Sequence, residues 1–429
     1  MLKYSNTTTE VQASGSNRSP WLWIPTLYFV EGIPYFIVNT ISLVMFKDMG
    51  MDNGTLALLT SLISLPWVVK PLWSPFVDLV RSKRWWIVTM QFVMLAAIGL
   101  IAATVQMTTF TLTLILFIIA AFASATHDIA ADGFYMLALD GKRQSAFVGI
   151  RSTFYRIASV FGQGVLVVMA GVLEKKLGDI PAAWSVTMLV SAAILAVFSV
   201  YHLFMLPRPS DDHSEASSLT ASGIFRGFGE AFASFFRKNG VWLAIAFMLL
   251  YRLPEAFSVK MLFPFFRDPV ESGGLGFSTD MYGLVFGTFG VVALLAGGIL
   301  GGLAAARLGL RKCLWPMALS LALPCAVYLY MSLAQPESLW VVGACVVFDQ
   351  FGYGFGFSAY MLYMMHFSQG PLKTSHYAIC TAFMALSMML PGLVAGYLQQ
   401  ALGYVGFFTL VMICCLATFI VTFFVRRRL

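Results

Sequence analysis

The chain has 429 residues, of which 59% are hydrophobic and only 11% are charged, and its formal net charge is +7. A soluble domain normally carries about 25% charged residues, so this composition excludes a soluble globular protein. No polar stretch is long enough for a separate catalytic domain, and the chain is predicted to be one unit embedded in lipid.

Apolar stretches of about 20 residues, the length that crosses a bilayer, recur along the whole chain. They are predicted to be helices because backbone amides in hydrocarbon must form hydrogen bonds within their own segment. The fold class is therefore all-α, with twelve transmembrane helices. The predicted spans, numbered 1 to 12, are 22–46, 54–76, 86–106, 109–138, 145–172, 182–206, 241–266, 281–306, 313–334, 338–364, 375–400 and 405–425.

Polar segments divide the chain into four parts. Residues 1–20 are rich in Ser, Thr and Asn and are expected to form a disordered cytoplasmic tail. The stretch 207–240 separates two six-helix halves, 21–206 and 241–429, and contains phenylalanines at helical spacing between Phe225 and Phe236. This stretch is expected to be a cytoplasmic linker with an amphipathic helix that lies on the membrane surface.

The positive charges are distributed unequally between the two sides of the membrane. Most Lys and Arg residues lie in the tails and in the loops after even-numbered spans, whereas the opposite side holds only Lys47, Lys175, Lys176 and Arg267. Both termini are therefore predicted to be cytoplasmic, and the net charge is a topology signal rather than a sign of nucleic-acid binding. The six cysteines include no CxxC pair and no His at ligand spacing, so neither a metal nor a cofactor is predicted.

The two halves resemble each other in sequence. Gly133–Leu137 in span 4 is similar to Ser358–Leu362 in span 10, at an offset of 225 residues, and Glu31 in span 1 falls opposite Glu255 in span 7, at an offset of 224 residues. A nearly constant offset indicates a duplicated six-helix unit, which is typical of secondary transporters.

Charged residues inside the membrane are costly and should face protein or water. Spans 3, 9 and 12 have none in their interiors. Spans 1, 4, 7 and 10 carry Glu31, Asp128, Asp132, Arg252, Glu255, Lys260 and Asp349. This distribution favours a polar pathway lined by spans 1, 4, 7 and 10.

Two ion pairs are predicted between spans 4 and 5. Asp128 and Asp132 share one face of span 4 and match the depths of Arg156 and Arg151 in the antiparallel span 5. Each pair is either a structural lock or a latch opened by a proton and an anionic ligand. The duplicated half lacks both arginines, which favours a ligand role for at least one of them, because guanidinium suits carboxylate or phosphate.

Four further membrane charges have individual predictions. Glu31 and Asp349 have no neighbouring cation in their own spans, so both are candidate proton sites, because burial disfavours a charged carboxylate. Arg252 and Glu255 share one face of span 7 and are expected to pair with each other.

The remaining membrane charges have plainer interpretations. Lys70 and Lys260 are expected to extend to opposite membrane surfaces. His127 is expected to be a hydrogen-bonded core residue.

Two motifs carry a resemblance to a known family. Lys70–Asp78 and Ala125–Gly133 resemble signatures of the peptide/acetyl-coenzyme A transporter family within the major facilitator superfamily, whose bacterial branch is the AmpG-type muropeptide permeases. The resemblance continues through Tyr155-Arg156, Leu250–Arg252 and Pro391–Gly396 and covers most of the chain.

The resemblance implies import of anhydromuropeptides, which are cell-wall fragments of amino sugar and short peptide, across the bacterial inner membrane with protons. It also implies a central cavity lined by the first and fourth helices of each half. The sequence departs from the pattern at His127, where Gln is usual, and at Glu255, where the permeases tend to have Asp, and it lacks the two extra helices of some permeases.

The sequence and the resemblance together define the candidate site, without catalytic residues. Candidate substrate-binding residues are Arg156, Arg151, Arg252, Tyr35, Tyr155 and Tyr360. Candidate proton-coupling residues are Glu31, Asp128, Asp132, Glu255 and Asp349. Candidate conformational gating residues in the basic loops are Asp78, Arg81, Arg84 and Arg311.

The leading hypothesis is a monomeric, proton-coupled importer of muropeptide-like anionic glycopeptides. An alternative is a transporter of another organic anion, such as a sugar acid, an acyl-coenzyme A or a siderophore-like molecule. A membrane-embedded enzyme is disfavoured, because the sequence shows no HExxH, nucleotide loop or Ser/His/Asp set and the carboxylates are predicted to be paired with cations rather than grouped. A channel is disfavoured, because duplicated asymmetric halves suit alternating access.

Overall fold

The computed structural model describes residues 18–209, 212, 221–370 and 372–429. Every regular element in these ranges is a helix, as predicted. Most of the expected tail, residues 1–17, lies outside the described ranges. Residues 210–211 and 213–220 of the expected linker lie outside them as well.

The described chain contains twelve apolar spans. The first ten are Pro20–Asp48, Asn53–Leu72, Lys83–Thr104, Phe110–Ala138, Gly149–Leu177, Ile180–Met205, Val241–Arg267, Thr279–Leu308, Leu310–Ala334 and Leu339–Ser368. The last helical segment, Lys373–Arg428, has 56 residues and turns at Gly403, whose φ of 66° and ψ of 176° are not helical. It therefore holds two spans, 373–402 and 404–428, and the predicted number of spans is confirmed.

Polar residues before the first turn determine where several helices begin. The side chains of Asp52, Ser82 and Asp179 accept hydrogen bonds from backbone amides three residues later, at the starts of spans 2, 3 and 6. Asp140 does the same for Gly141–Ser159, the helix that leads into span 5. Such caps satisfy amides that have no partner within the helix.

Consecutive spans are antiparallel, so the loops lie alternately at the two ends of the bundle. We call the end that bears the C-terminus and the loops after even-numbered spans the near end. The opposite end is the far end. One apolar core, which includes Ile33, Phe117, Phe266 and Phe408, draws residues from both halves. Two smaller cores lie toward the near end, one in each half. The halves therefore share a core toward the far end, and each has a core of its own toward the near end.

Glycines bring the two halves into backbone contact. A Cβ atom on Gly287 of span 8 would lie 1.9 Å from the carbonyl oxygen of Gln163 in span 5, and one on Gly396 of span 11 would lie 1.7 Å from that of Asn53 in span 2. Small residues allow this approach between membrane helices. Spans 5 and 8 are π-helical where they touch, at Val160–Leu166 and Gly283–Gly290.

The predicted linker helix is present at Ala221–Phe236. Phe235 is fully buried and its ring packs against Phe367, His376 and Phe383 of the second half. The helix is thus held by protein contacts at the near end. Its contact with lipid remains a prediction.

Candidate functional site

A cavity of about 630 Å³ lies between the two halves. Spans 1, 2, 4 and 5 line one side of it and spans 7 to 11 line the other, so the predicted spans 1, 4, 7 and 10 all contribute. Span 9 also contributes, through Leu321, Cys325 and Tyr328, although its sequence carries no charge that would indicate this position. The volume lies within the range of about 300–1,000 Å³ that is usual for small-molecule sites.

Most of the predicted binding and coupling residues meet in this cavity. Eight of them contribute to its lining: Glu31, Tyr35, Asp128, Tyr155, Arg156, Arg252, Glu255 and Asp349. The other three, Asp132, Arg151 and Tyr360, do not line it.

Three carboxylates form a cluster at the first half's side of the cavity. Oxygen atoms of Glu31 in span 1 and of Asp128 and Asp132 in span 4 lie within 4.8 Å of one another. Glu31 is only 6% exposed, and none of the described residues forms a hydrogen bond with its carboxylate. The prediction that the carboxylates are not grouped is therefore wrong for these three residues.

Two cations lie beside the cluster. Lys70 forms an ion pair with Asp128, and Arg151 forms one with Asp132. The predicted Asp132–Arg151 pair is thus confirmed, whereas the predicted pair of Asp128 with Arg156 is wrong. Residue counting along antiparallel helices gives the depth of a side chain but not its direction, and Lys70 approaches Asp128 from span 2. Lys70 does not extend to a membrane surface as predicted, because Asp128 holds its ammonium group inside the bundle.

The two ion pairs determine what the cluster can bind. Three acidic groups beside two cations leave one negative charge in a medium of low dielectric constant, and a single proton would neutralise it. A divalent metal is a poorer fit, since two of the three carboxylates already bind cationic side chains.

Arg151 and Tyr360 are engaged away from the cavity. The Arg151 guanidinium lies 4.4 Å from the ring centre of Tyr28 and is paired with Asp132. Tyr360 is fully buried and its hydroxyl donates to the carbonyl oxygen of Met248 at 2.7 Å. Their predicted contact with substrate has no support in this conformation.

Arg252 and Glu255 form the predicted pair. The guanidinium donates to both carboxylate oxygens, at 2.8 and 3.0 Å, and also to the Tyr353 hydroxyl at 2.7 Å. Its carbon lies 4.7 Å from the ring centre of Phe357. Sequence reasoning missed Tyr353 and Phe357, which line the cavity in place of Tyr360.

Arg156 is an exposed cation on the cavity wall. No hydrogen bond or ion pair joins its side chain to any described residue. Five guanidinium N–H donors therefore remain available to an anion.

Asp349 is buried opposite, in span 10. Its carboxylate accepts hydrogen bonds from the Tyr328 hydroxyl at 2.7 Å and from the Gln350 amide at 2.9 Å. Unlike Glu31, it is already satisfied by neutral donors.

The predicted gating residues lie at the near end, outside the cavity. Asp78 belongs to the helix Ser74–Val80, but its side chain lies outside the described part of the chain. Arg81 lies over the ring of Trp85, and Arg84 donates to the carbonyl oxygen of Leu203. Within the described residues, neither Arg81 nor Arg84 forms an ion pair between the halves. The exposed Arg311 does not form one either.

Sequence reasoning missed a cluster of charges at the far end. Arg267 of the second half pairs with Asp48 at 3.0 Å and with Glu174 at 2.7 Å, both in the first half. The Asp48 carboxylate also accepts hydrogen bonds from the hydroxyl of Thr279 and the indole of Trp184. We call these five residues the far-end network.

Further ion pairs join the halves beside this network. Lys47 pairs with Asp268 at 2.6 Å, and Lys175 pairs with Asp280 at 2.7 Å. The sequence held a signal for them, because Lys47, Lys175 and Arg267 are three of the four cations on a side that is otherwise almost free of positive charge.

Spans 2 and 11 are also joined at the far end. The Asn53 amide donates to Gln399 at 2.7 Å, and Gln400 donates to Asp52 at 2.8 Å. The backbone amide of Thr55, and to a smaller extent Gln400, hold the pKa of Asp52 below its ordinary value. The cavity is thus closed at the far end by contacts between the halves.

Comparison with known proteins identifies this architecture. The family model of the Major Facilitator Superfamily matches residues 26–371. The Anhydromuropeptide permease of Escherichia coli (strain K12) is 25% identical over 387 residues, which cover 89% of this chain and 74% of the relative.

Solved structures with the same fold include the nucleoside transporter NupG, with a TM-score of 0.69, 14% identity and coverage of 93% of this chain and 96% of that chain. A POT family transporter in complex with a thioalcohol conjugated peptide has a TM-score of 0.72, 11% identity and coverage of 94% of each chain. These two similarities are evidence for the fold alone. Since the family model spans most of the sequence, the chain belongs to the Major Facilitator Superfamily of multi-pass membrane transporters.

Proposed function

We propose that this transporter imports anhydromuropeptide-like anionic glycopeptides across the bacterial inner membrane together with protons. The observation that carries the proposal is the pair of unsatisfied charges on one cavity wall, the Glu31 carboxylate and the Arg156 guanidinium. A carboxylate without a partner suits a proton, and a free guanidinium suits a carboxylate or phosphate.

The near end is proposed to face the cytoplasm, with both termini on that side, because most Lys and Arg residues lie there. The described conformation is then closed to the outside by the far-end contacts between the halves. The two six-helix halves, 21–206 and 241–429, would move relative to each other as nearly rigid bodies around the cavity. The transporter is proposed to act as a monomer.

The coupling mechanism follows from the carboxylate cluster. A proton on Glu31 would remove the uncompensated negative charge beside Asp128 and Asp132. The wall would then attract an anion to Arg156 more strongly, because like-charge repulsion from the cluster falls. Release of the proton on the cytoplasmic side would restore the repulsion and favour release of the substrate.

The name of the Escherichia coli relative supports an anhydromuropeptide as the substrate. That relative is called an anhydromuropeptide permease and is similar to most of this chain. Such fragments carry carboxylates and sugar hydroxyls, and the first half's wall carries the neutral polar side chains of Asn39, Ser64, Ser152 and Gln163 as well as Arg156.

One observation favours a second candidate, an organic anion with an apolar part. The second half's wall includes Leu262, Phe357, Met384, Met388 and Met389. Adaptable methionines and an aromatic ring suit an apolar group better than a sugar. A siderophore-like or acylated anion would place its charge on the first half and its apolar part on the second.

Competition in membrane vesicles distinguishes the two candidates. Uptake of radiolabelled anhydromuropeptide is measured in vesicles that contain the transporter and in matched vesicles without it. We expect saturable uptake that unlabelled anhydromuropeptide inhibits and an acylated organic anion of equal charge does not. No transporter-dependent uptake of anhydromuropeptide would rule out the first candidate.

A further inference from the structure

The ammonium group of Lys260 is buried without a negatively charged partner. Lys260 lies on span 7, lines the cavity and is only 8% exposed, so its predicted extension to a membrane surface is wrong. Its one hydrogen bond among the described residues is a 3.3 Å contact with the Thr60 hydroxyl of span 2. That hydroxyl donates to the carbonyl oxygen of Leu56, so it accepts from Lys260 and leaves two ammonium protons unused.

A second unsatisfied donor lies beside this ammonium. The Ser61 hydroxyl is fully buried and none of the described residues forms a hydrogen bond with it. Gly392 of span 11 adjoins both side chains, since a Cβ atom there would lie 2.3 Å from Ser61 Oγ and 3.2 Å from Lys260 Cε. The Ser61 hydroxyl and the Lys260 side chain thus pack against the bare Cα of Gly392, at the junction of spans 2, 7 and 11, and none of these contacts supplies a negative charge to the ammonium.

The balance of charge around the cavity leaves two cations free. Lys70 and Arg252 also line it, but each is in an ion pair with a carboxylate. Arg156 on the first half and Lys260 on the second half have no acidic partner among the described residues. An unpaired charge in the membrane interior is costly and is kept mainly where it serves binding.

We propose that Lys260 is a second anion-binding residue and that the transported solute carries two anionic groups. One group binds Arg156 on the first half and the other binds Lys260 on the second half, and both residues line the cavity. This inference rests on the proposed function only in taking the cavity to be the solute site. A dianion held by both halves stabilises conformations in which they close around it, whereas a monoanion engages one half.

Binding of simple diacids tests the proposal without a glycopeptide. The protein in lipid nanodiscs is titrated at constant ionic strength with α,ω-dicarboxylates from succinate to suberate and with the monoamide of each. The dissociation constants are obtained from the shift of the thermal unfolding midpoint. We expect at least one diacid to bind about ten-fold more tightly than its monoamide. The preference should be lost in both Lys260→Met and Arg156→Gln and kept in Lys312→Gln, which removes an exposed near-end charge.

Two results would overturn the proposal: no diacid preferred at any length, or a preference that survives Lys260→Met. Stability of the free protein separates a binding role from a structural one. Removal of an unpaired buried charge should leave the unfolding midpoint unchanged or raise it. A lower midpoint in both Lys260→Met and Lys260→Gln, with the diacid preference intact, would make Lys260 structural.

The test of Lys260 as an anion-binding residue can fail or succeed independently of the test of the proposed substrate. A diacid preference without uptake of anhydromuropeptide would remove the proposed substrate and leave the second anion site. Uptake of anhydromuropeptide that is unaffected by Lys260→Met would leave the substrate and remove the second anion site.

Discussion

At the scale of single residues, two buried carboxylates on the cavity wall differ in their partners. Asp349 accepts hydrogen bonds from Tyr328 and Gln350, whereas none of the described residues donates to Glu31. Neutral hydrogen-bond donors stabilise the ionised form of a buried carboxylate. A buried carboxylate without such donors is stabilised most by binding a proton. Glu31 is therefore the residue on which we expect coupling to depend.

The Glu31→Gln variant should separate transport from coupling. The amide imitates the protonated acid, so exchange of labelled for unlabelled substrate should continue while accumulation driven by a pH gradient is lost. Both are measured in the same vesicles, with Asp349→Asn as the matched variant, which should retain some gradient-driven accumulation. Normal gradient-driven accumulation by Glu31→Gln would show that this carboxylate is not the coupling site.

The Arg156→Lys variant tests how the anion is recognised. Lysine keeps the charge but loses the planar fork that binds a carboxylate with two hydrogen bonds. We expect uptake to fall about ten-fold or more, the effect of about 1.4 kcal/mol, at unchanged abundance in the membrane. The exposed Arg226→Lys, on the linker helix, is the control. Equal uptake by Arg156→Lys and wild type would exclude a bidentate role.

At the scale of helices, the contact of spans 5 and 8 depends on the absence of a side chain. Both helices are π-helical there, and Gly287 leaves room for the carbonyl oxygen of Gln163. Since π-helical turns often mark functional positions, we expect the far end to close through this contact.

A single methyl group tests that contact. Gly287→Ala should force spans 5 and 8 apart, lower the unfolding midpoint and reduce uptake. Gly302→Ala lies on the same span with nothing within 4 Å of its new Cβ, and it should be neutral or slightly stabilising, by up to about 1 kcal/mol. If both variants behave alike in unfolding and uptake assays, close backbone approach does not control closure.

The helices were predictable from the sequence where hydropathy and length decide the outcome. Charge depletion and the spacing of apolar stretches located all twelve spans. The turn at Gly403 lies between predicted spans 11 and 12. The direction of a side chain was harder to predict, because its depth along a helix does not determine which neighbouring helix it faces. For this reason residue counting pairs Asp128 with Arg156, whereas the structure pairs it with Lys70, and it predicts that Lys260 extends to the membrane surface, whereas the structure buries it.

At the scale of the whole molecule, the halves are held together at the far end by charges that no single half reveals. Each acid of Asp48, Glu174, Asp268 and Asp280 pairs with a cation of the other half. The rare cations on that side indicate that Lys47, Lys175 and Arg267 have a special role, but their acidic partners lie in the other half and cannot be predicted from patterns within one half. The cavity's apolar wall was unpredictable for the same reason.

Loss of the far-end network should shift the balance between conformations. Arg267→Gln leaves the Asp48 carboxylate, whose side chain is 0% exposed, without its cation. Breaking a buried pair typically costs about 3–5 kcal/mol, and opening the far end would relieve part of it by hydrating the acid. Spin labels at Leu177 and Val270, exposed on opposite halves, should report longer distances in Arg267→Gln. The Lys176→Gln variant, at an exposed position, is the control and should leave the distances between the labels unchanged. Unchanged distances in Arg267→Gln would show that the network does not hold the far end closed.

The central claim is that substrate and protons move together, and proton movement measured on purified protein tests it most directly. Liposomes that contain the transporter and a pH-sensitive dye receive a gradient of anhydromuropeptide and no imposed pH gradient. We predict acidification of the lumen on inward movement of substrate, in proportion to the substrate taken up and absent in Glu31→Gln. Substrate uptake that produces no change in luminal pH and depends on sodium would contradict the account.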